Sequence, residues 1–359
     1  MTDRLSLLLR HRLHGGRHRG SRTWSLGIAL ILALLPLVTA AAPMVQSGLP
    51  GESVASVPKP TALAFLPDGG LLITSQPGKL YLKPAGGGAT TVALDLSAKV
   101  CANSERGLLG VAVDPDFWTT SNIYLYYTFK KHDSCPRDTR KTPVNRVSKF
   151  QLSNGVIDPQ AETVLINNIP SPHGNHNAGD LHFGNDGNLY ISVGDGACDL
   201  SNRDHCQGQN TNARRMYLLN GKILRITADG DIPNDNPFQG AGTARCNETG
   251  RTKSGTTCQE IFASGLRNPF RFAMDPNKTG IRFFINDVGL QTWEEIDDGQ
   301  AKLNYGWNSR EGHCVTGSAT KCGEPPAGLT NPIFDYQHKT GCESITGGAF
   351  VPDGRWPAV

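Results

Sequence analysis

The stretch LHFGNDGNLYISVGDG, residues 181–196, decides how the chain is read. Leu181 and Phe183 open a short apolar run. Asp186-Gly187 supplies the positive φ values of a tight turn. Leu189 to Val193 then form a second run rich in β-branched and aromatic residues. The same layout recurs at Ala64–Ile73, Val111–Phe129 and Phe272–Gly289, and begins again at AFVPDG, residues 349–354. Stretches with a helical period are almost absent. Repeated hairpins with variable insertions predict an all-β fold of four-stranded units, a propeller. A β-sandwich would carry similar hairpins, and periodicity alone leaves it open.

The composition agrees with many turns and few helices: Gly 41, Pro 23 and only 19% charged residues among 359. Apolar residues at 38% suffice for a sizeable core. The net charge of +3 leaves no basic stripe for nucleic acid. Polar insertions at 130–145, 198–215 and 233–257 are the expected loops.

At the start of the chain, six arginines between Arg4 and Arg22 precede the apolar run Trp24–Val38 and the small residues Ala40-Ala41-Ala42. This pattern predicts a signal peptide at 1–42, a linker at 43–57 and the β domain at 58–359. An uncleaved anchor is the alternative, but the run is short of the roughly 20 apolar residues that a span needs. Secretion or a periplasmic location follows, with no membrane span after cleavage. Nine cysteines in an exported chain predict disulfides. Local pairing would join Cys101 to Cys135, Cys198 to Cys206, Cys246 to Cys258 and Cys314 to Cys322, leaving Cys342 over. Asn247-Glu248-Thr249 and Asn277-Lys278-Thr279 are glycosylation sequons.

Five strings stand in a fixed order: RGLLGVAVDPDF (106–117), HNAGDLHFGNDGNLYISVGDG (176–196), GLRNPFRFAMDP (265–276), DVGLQTWEEI (287–296) and NYGWNSREG (304–312). Together they resemble the glucose/sorbosone dehydrogenase family over roughly residues 58–356. The resemblance implies a six-bladed β-propeller that uses pyrroloquinoline quinone (PQQ) and Ca²⁺ to oxidise an aldose sugar, with the electron acceptor left open. It implies that His176 is the catalytic base, a role that imidazole suits near neutral pH. It also implies that Arg267 and Asn268 contact the cofactor, since a guanidinium can pair with a carboxylate or with charge on the quinone.

Glu105 stands where some members carry a quinone-contacting Gln, and Asn175 stands where some carry an Asp. Both are expected to line the site. A structural calcium is expected on Gly289, Leu290, Glu294 and Tyr305, through carbonyls and one carboxylate. A second, cofactor-bound calcium would polarise the quinone carbonyl.

The departures favour a rival. Asp353 falls near a family Lys that binds a cofactor carboxylate, and the sequence breaks off in mid-blade at Pro357-Ala358-Val359. We therefore expect a propeller that is incomplete in its last blade. The rival is a non-catalytic extracellular propeller that binds carbohydrate or protein, as the hedgehog-interacting proteins do. A nicotinamide cofactor is not implied, because no Rossmann glycine fingerprint occurs.

Overall fold

Four of the five repeats named above form hairpins in the computed structural model, which describes residues 52–136, 143–197, 210–339 and 344–355. At Asp186-Gly187 the chain reverses, with Gly187 at φ 72° and Gly184 N–H donating to Asn188 O at 2.9 Å. The expected signal peptide at 1–42 lies outside the described residues, as do Cys198, Cys206 and Cys342. Residues 53–359 form one compact unit.

Sixteen of its strands build four antiparallel sheets, each a meander of four. The first runs β1 (Pro60–Phe65), β2 (Leu71–Ser75), β3 (Lys79–Lys83) and β4 (Thr91–Asp95). The second runs β5 (Leu108–Val113), β6 (Asn122–Phe129), β7 (Val144–Gln151) and β8 (Thr163–Pro170), with a single helical turn, α1 (Phe117–Thr120), between its first two strands. The third joins β9 (Ala178–Phe183), β10 (Leu189–Val193) and β11 (Lys222–Ile226) to a fourth strand, reached after the short parallel pair β12 (Thr243–Ala244) and β13 (Thr257–Cys258); that strand is β14 (Ile261–Ser264). The last sheet holds β15 (Pro269–Met274), β16 (Phe283–Asp287) and β17 (Trp293–Asp298). The small hairpin β18 (Arg310–Glu311) and β19 (Cys314–Val315) then precedes its edge, β20 (Phe334–Gln337).

The expectation of repeated four-stranded units with insertions is therefore met four times over among the described residues. The first strands β1, β5, β9 and β15 run as neighbours. Apolar clusters fill the spaces between successive sheets. Leu72, Leu80, Val111 and Leu125 pack between the first two sheets. Tyr124, Ile166, Ile191 and Leu224 pack between the second and third, and Tyr190, Phe262, Phe272 and Phe283 between the third and fourth. β10 and β11 are buried along their whole length.

Three expected disulfides form: Cys101–Cys135, Cys246–Cys258 and Cys314–Cys322. The second ties down the insertion around β12 and β13. Two expectations shift. The polar insertion at 130–145 ends early, because β7 starts at Val144. AFVPDG does not open a further hairpin among the described residues. Its Val351 carbonyl and Asp353 N–H are satisfied by the Asn277 side chain, and Phe350 packs on Phe284.

Candidate active site

The ends of β9, β10 and β15 bring the chemistry-bearing residues together. His176 precedes β9 in a left-handed conformation, φ 52°, that costs energy for a residue with a side chain. Three contacts among the described residues hold it. Its N–H donates to Glu105 Oε2 at 2.8 Å, its carbonyl accepts from Gly196 N–H at 3.2 Å, and its Nδ1 lies 2.8 Å from Asp195 Oδ1. Asp195, fully buried just past β10, also accepts Ala197 N–H at 2.8 Å and the Trp307 indole N–H at 2.7 Å. A carboxylate so loaded keeps Nδ1 as the protonated nitrogen and leaves Nε2 as the basic one. Asp195 was not foreseen from sequence, although the VGDG end of the second string carried it.

The backbone packs closely here. A Cβ on Gly194 would stand 2.0 Å from His176 O and 3.1 Å from Asn268 Oδ1. Gly194→Ala is expected to destabilise the fold by about 1–3 kcal/mol. Urea denaturation checks this, and a change within about 0.5 kcal/mol would show that the two segments are not wedged together.

Arg267 and Asn268 stand just before β15. Both backbone N–H groups donate to one carboxylate, Asp287, at 2.8 and 2.6 Å. The Asn268 side chain accepts Ala178 N–H at 3.1 Å, which ties this pair to the segment of His176. Arg267 Nη1 donates to the carbonyls of Val288 at 3.0 Å and Gly289 at 2.7 Å. Its guanidinium lies 5.5 Å from the centre of the Trp307 ring. Trp307 therefore touches both the Arg267 side and the His176–Asp195 side.

Beside these groups is a cavity of about 250 Å³ lined by Thr61, Gln76, Glu105, Ala178, Phe270 and Arg271, among others. Glu105 thus faces the cavity while its carboxylate holds His176. Arg271 is a cavity-lining guanidinium stacked 4.8 Å from the Phe270 ring. Asn175 is tied to the Ser104 hydroxyl across the gap between two sheets. Arg106 is fully buried and braces Ser171, Asn103 and the Pro136 carbonyl.

Of the residues expected to hold calcium, Gly289, Leu290 and Glu294 lie at or just before the start of β17 and Tyr305 lies beyond its end. Gly289 N–H meets Glu294 Oε2 at 3.2 Å, and Glu294 also accepts Ile345 N–H and faces His338 Nε2 at 2.7 Å. Leu290 N–H turns to Glu311. The face of β17 opposite Glu294 carries Asp297. Burial, and then the Asp297 charge, raises the pKa of the Tyr305 hydroxyl, which donates to Asp298 O at 2.6 Å.

On that face Asp287, Glu295 and Asp297 bring carboxylate oxygens within 4.8 Å of one another, all three side chains buried. Asp287 is opposite Glu295 in the β16–β17 ladder, and Asp297 is two residues on, so alternation puts all three on one side. Both Asp297 oxygens are buried without a hydrogen-bond partner. Burial pushes the Asp287 pKa up to about 7. Burial, and then the neighbouring carboxylates, pushes Glu295 and Asp297 well above the usual range. Buried, mutually repelling hard oxygens suit a divalent cation such as calcium. Sequence reasoning chose Glu294 from the adjacent pair; only the ladder shows that Glu295 faces the acids.

Residues 57–358 match the family model described as Glucose / Sorbosone dehydrogenase. Aldose sugar dehydrogenase YliI of Escherichia coli is 30% identical over 304 residues, covering 83% of this chain and 72% of that protein. The HIPL2 protein of Arabidopsis thaliana is 28% identical over 355 residues, covering 81% of this chain and 48% of its own length. The chain thus spans about half of the latter relative. Among solved structures, the PQQ-bound aldose sugar dehydrogenase of Streptomyces coelicolor superposes with a TM-score of 0.58 at 25% identity, covering 80% of this chain and 70% of that one.

Proposed function

The chain belongs to the glucose/sorbosone dehydrogenase family, and from that membership we propose that it is an exported, PQQ-dependent aldose dehydrogenase built as a six-bladed propeller. The observation that carries this reading is a single junction: Asn268 Oδ1 on Ala178 N–H joins the Arg267-Asn268 pair to the His176–Asp195 pair. Glu105, which holds His176, and Ala178, which Asn268 holds, both line one cavity. Arg271 also lines it, and a guanidinium there suits a ligand bearing a carboxylate.

In the proposed reaction an aldose loses a hydride from C1 and a proton from the C1 hydroxyl and leaves as the lactone. PQQ, when bound, supplies the hydride acceptor. His176 takes the hydroxyl proton at Nε2. Asp195 holds the imidazole by Nδ1–H and stabilises the imidazolium that forms, and the Trp307 N–H keeps Asp195 in place. Arg267 would bind and polarise the cofactor, with Asn268 beside it. Glu105 fixes the backbone turn that presents the base.

Calcium is proposed on Asp287, Glu295 and Asp297, where both Asp297 oxygens are buried without a hydrogen-bond partner, in place of Glu294, which lies on the other face of the strand toward His338. Three disulfides accord with an oxidising compartment. Among the described residues no helix is long and apolar enough to cross a membrane.

The test is to incubate the full-length protein with PQQ and Ca²⁺ and follow dye reduction over a panel of aldoses, with calorimetry for PQQ. Saturable PQQ binding and aldose-dependent reduction are expected. Absence of PQQ binding would sink the dehydrogenase and favour a carbohydrate- or protein-binding propeller.

A further inference from the structure

The turn at Gly289–Trp293 is unusual in where its amides go. Four successive N–H groups, of Leu290, Gln291, Thr292 and Trp293, donate to one oxygen, Glu311 Oε1, at 2.9, 2.9, 2.8 and 3.1 Å. The other oxygen accepts Gly317 N–H at 3.2 Å. The preceding amide, of Gly289, donates to Glu294. Five consecutive amides are thus gathered by two buried carboxylates, in the manner of a backbone nest closing on an anion. Burial works against the Glu311 charge, but the converging N–H groups outweigh it and hold its pKa below the usual range.

With its donors turned inward, the carbonyls that begin this turn, Val288 and Gly289, are free to take Arg267 Nη1. The turn tolerates no side chain at its start, since a Cβ on Gly289 would stand 1.6 Å from Trp293 O and 3.2 Å from Glu311 Oε1.

We propose that Glu311 is a positioning residue: by binding the amides of 290–293 it fixes the carbonyls that aim the Arg267 guanidinium into the site. Its consequence for cofactor binding rests on the function proposed above; its effect on Arg267 does not.

The experiment compares wild type, Glu311→Gln and Glu311→Asp as full-length proteins. Amide hydrogen exchange at 290–293 and the Arg267 side-chain Nε–H resonance are read without cofactor, and PQQ affinity is read by calorimetry. Gln keeps an acceptor but loses the charge, so the amides should exchange at least about tenfold faster and the Arg267 resonance should move. PQQ affinity should fall by a similar factor. Asp keeps the charge on a shorter arm and should recover part of each effect. Unchanged exchange and an unmoved Arg267 signal in Glu311→Gln overturn the proposal. If exchange and Arg267 respond but wild type binds no PQQ, positioning stands and the dehydrogenase reading falls. A variant that does not fold is set aside for the other, and the same two cofactor-free signals decide.

Discussion

Replacing His176 with Ala is expected to lower aldose-dependent dye reduction by about 10²–10⁴-fold while leaving PQQ affinity within a few-fold of wild type. The imidazole supplies a proton acceptor, and a general base of this kind accounts for that range of rate. The asymmetry between turnover and binding is the informative part. In this fold His176 is held by its backbone and by Asp195, whereas the groups proposed to grip the cofactor stand on the β15 side. Steady-state kinetics beside calorimetry separates the two. Equal losses in both would mean that His176 shapes the pocket and does not take the proton.

The second large effect concerns the acidic face of β17. Asp287 has its pKa raised to about 7, with Glu295 and Asp297 above the usual range. The folded state therefore retains protons that the unfolded chain has released, and stability falls as pH rises from about 4 through 7. Carboxylates held low, such as Glu162 and Asp180, act in the opposite sense, losing their contribution as pH falls below about 4.

In chelator, the melting temperature should therefore be lower at pH 8 than at pH 5. The difference is of order a few kcal/mol, or about 5 °C or more. Calcium at pH 8 should restore it, because the cation replaces the protons. Asp297→Asn should flatten the pH dependence and weaken the calcium response. Scanning calorimetry at the two pH values decides: equal melting temperatures in chelator, unmoved by calcium, would remove the proposed metal site.

Much of the frame was legible in the sequence. Asp-Gly, Pro-Asp and Asp-Pro turns between β-rich runs mark hairpins by local chemistry, and four of them join the first two strands of the four sheets. Cysteines close in sequence announced three disulfides because short loops bring their partners near. His176, Arg267 and Asn268 were recoverable because their strings resemble a family.

The partners that hold them were not. Asp195 is 19 residues from His176, and Asp287 is 20 from Arg267, on the next strand. Glu311 reaches back across roughly 20 residues to four amides, and a backbone donor has no residue type to give it away. Glu294 and Glu295 are indistinguishable until the β16–β17 register assigns each a face. AFVPDG shows the opposite failure: a correct turn signal whose hydrogen bonds went to the Asn277 side chain.

One carboxylate belongs to both halves of the proposed site. Asp287 receives the amides of Arg267 and Asn268 and also stands among the acids proposed for calcium. Two ligands whose sites share such a residue are thermodynamically linked. Whatever factor calcium adds to the affinity for PQQ, PQQ adds to the affinity for calcium. If that factor exceeds one, loading is cooperative in either order and the half-loaded forms are the scarce ones.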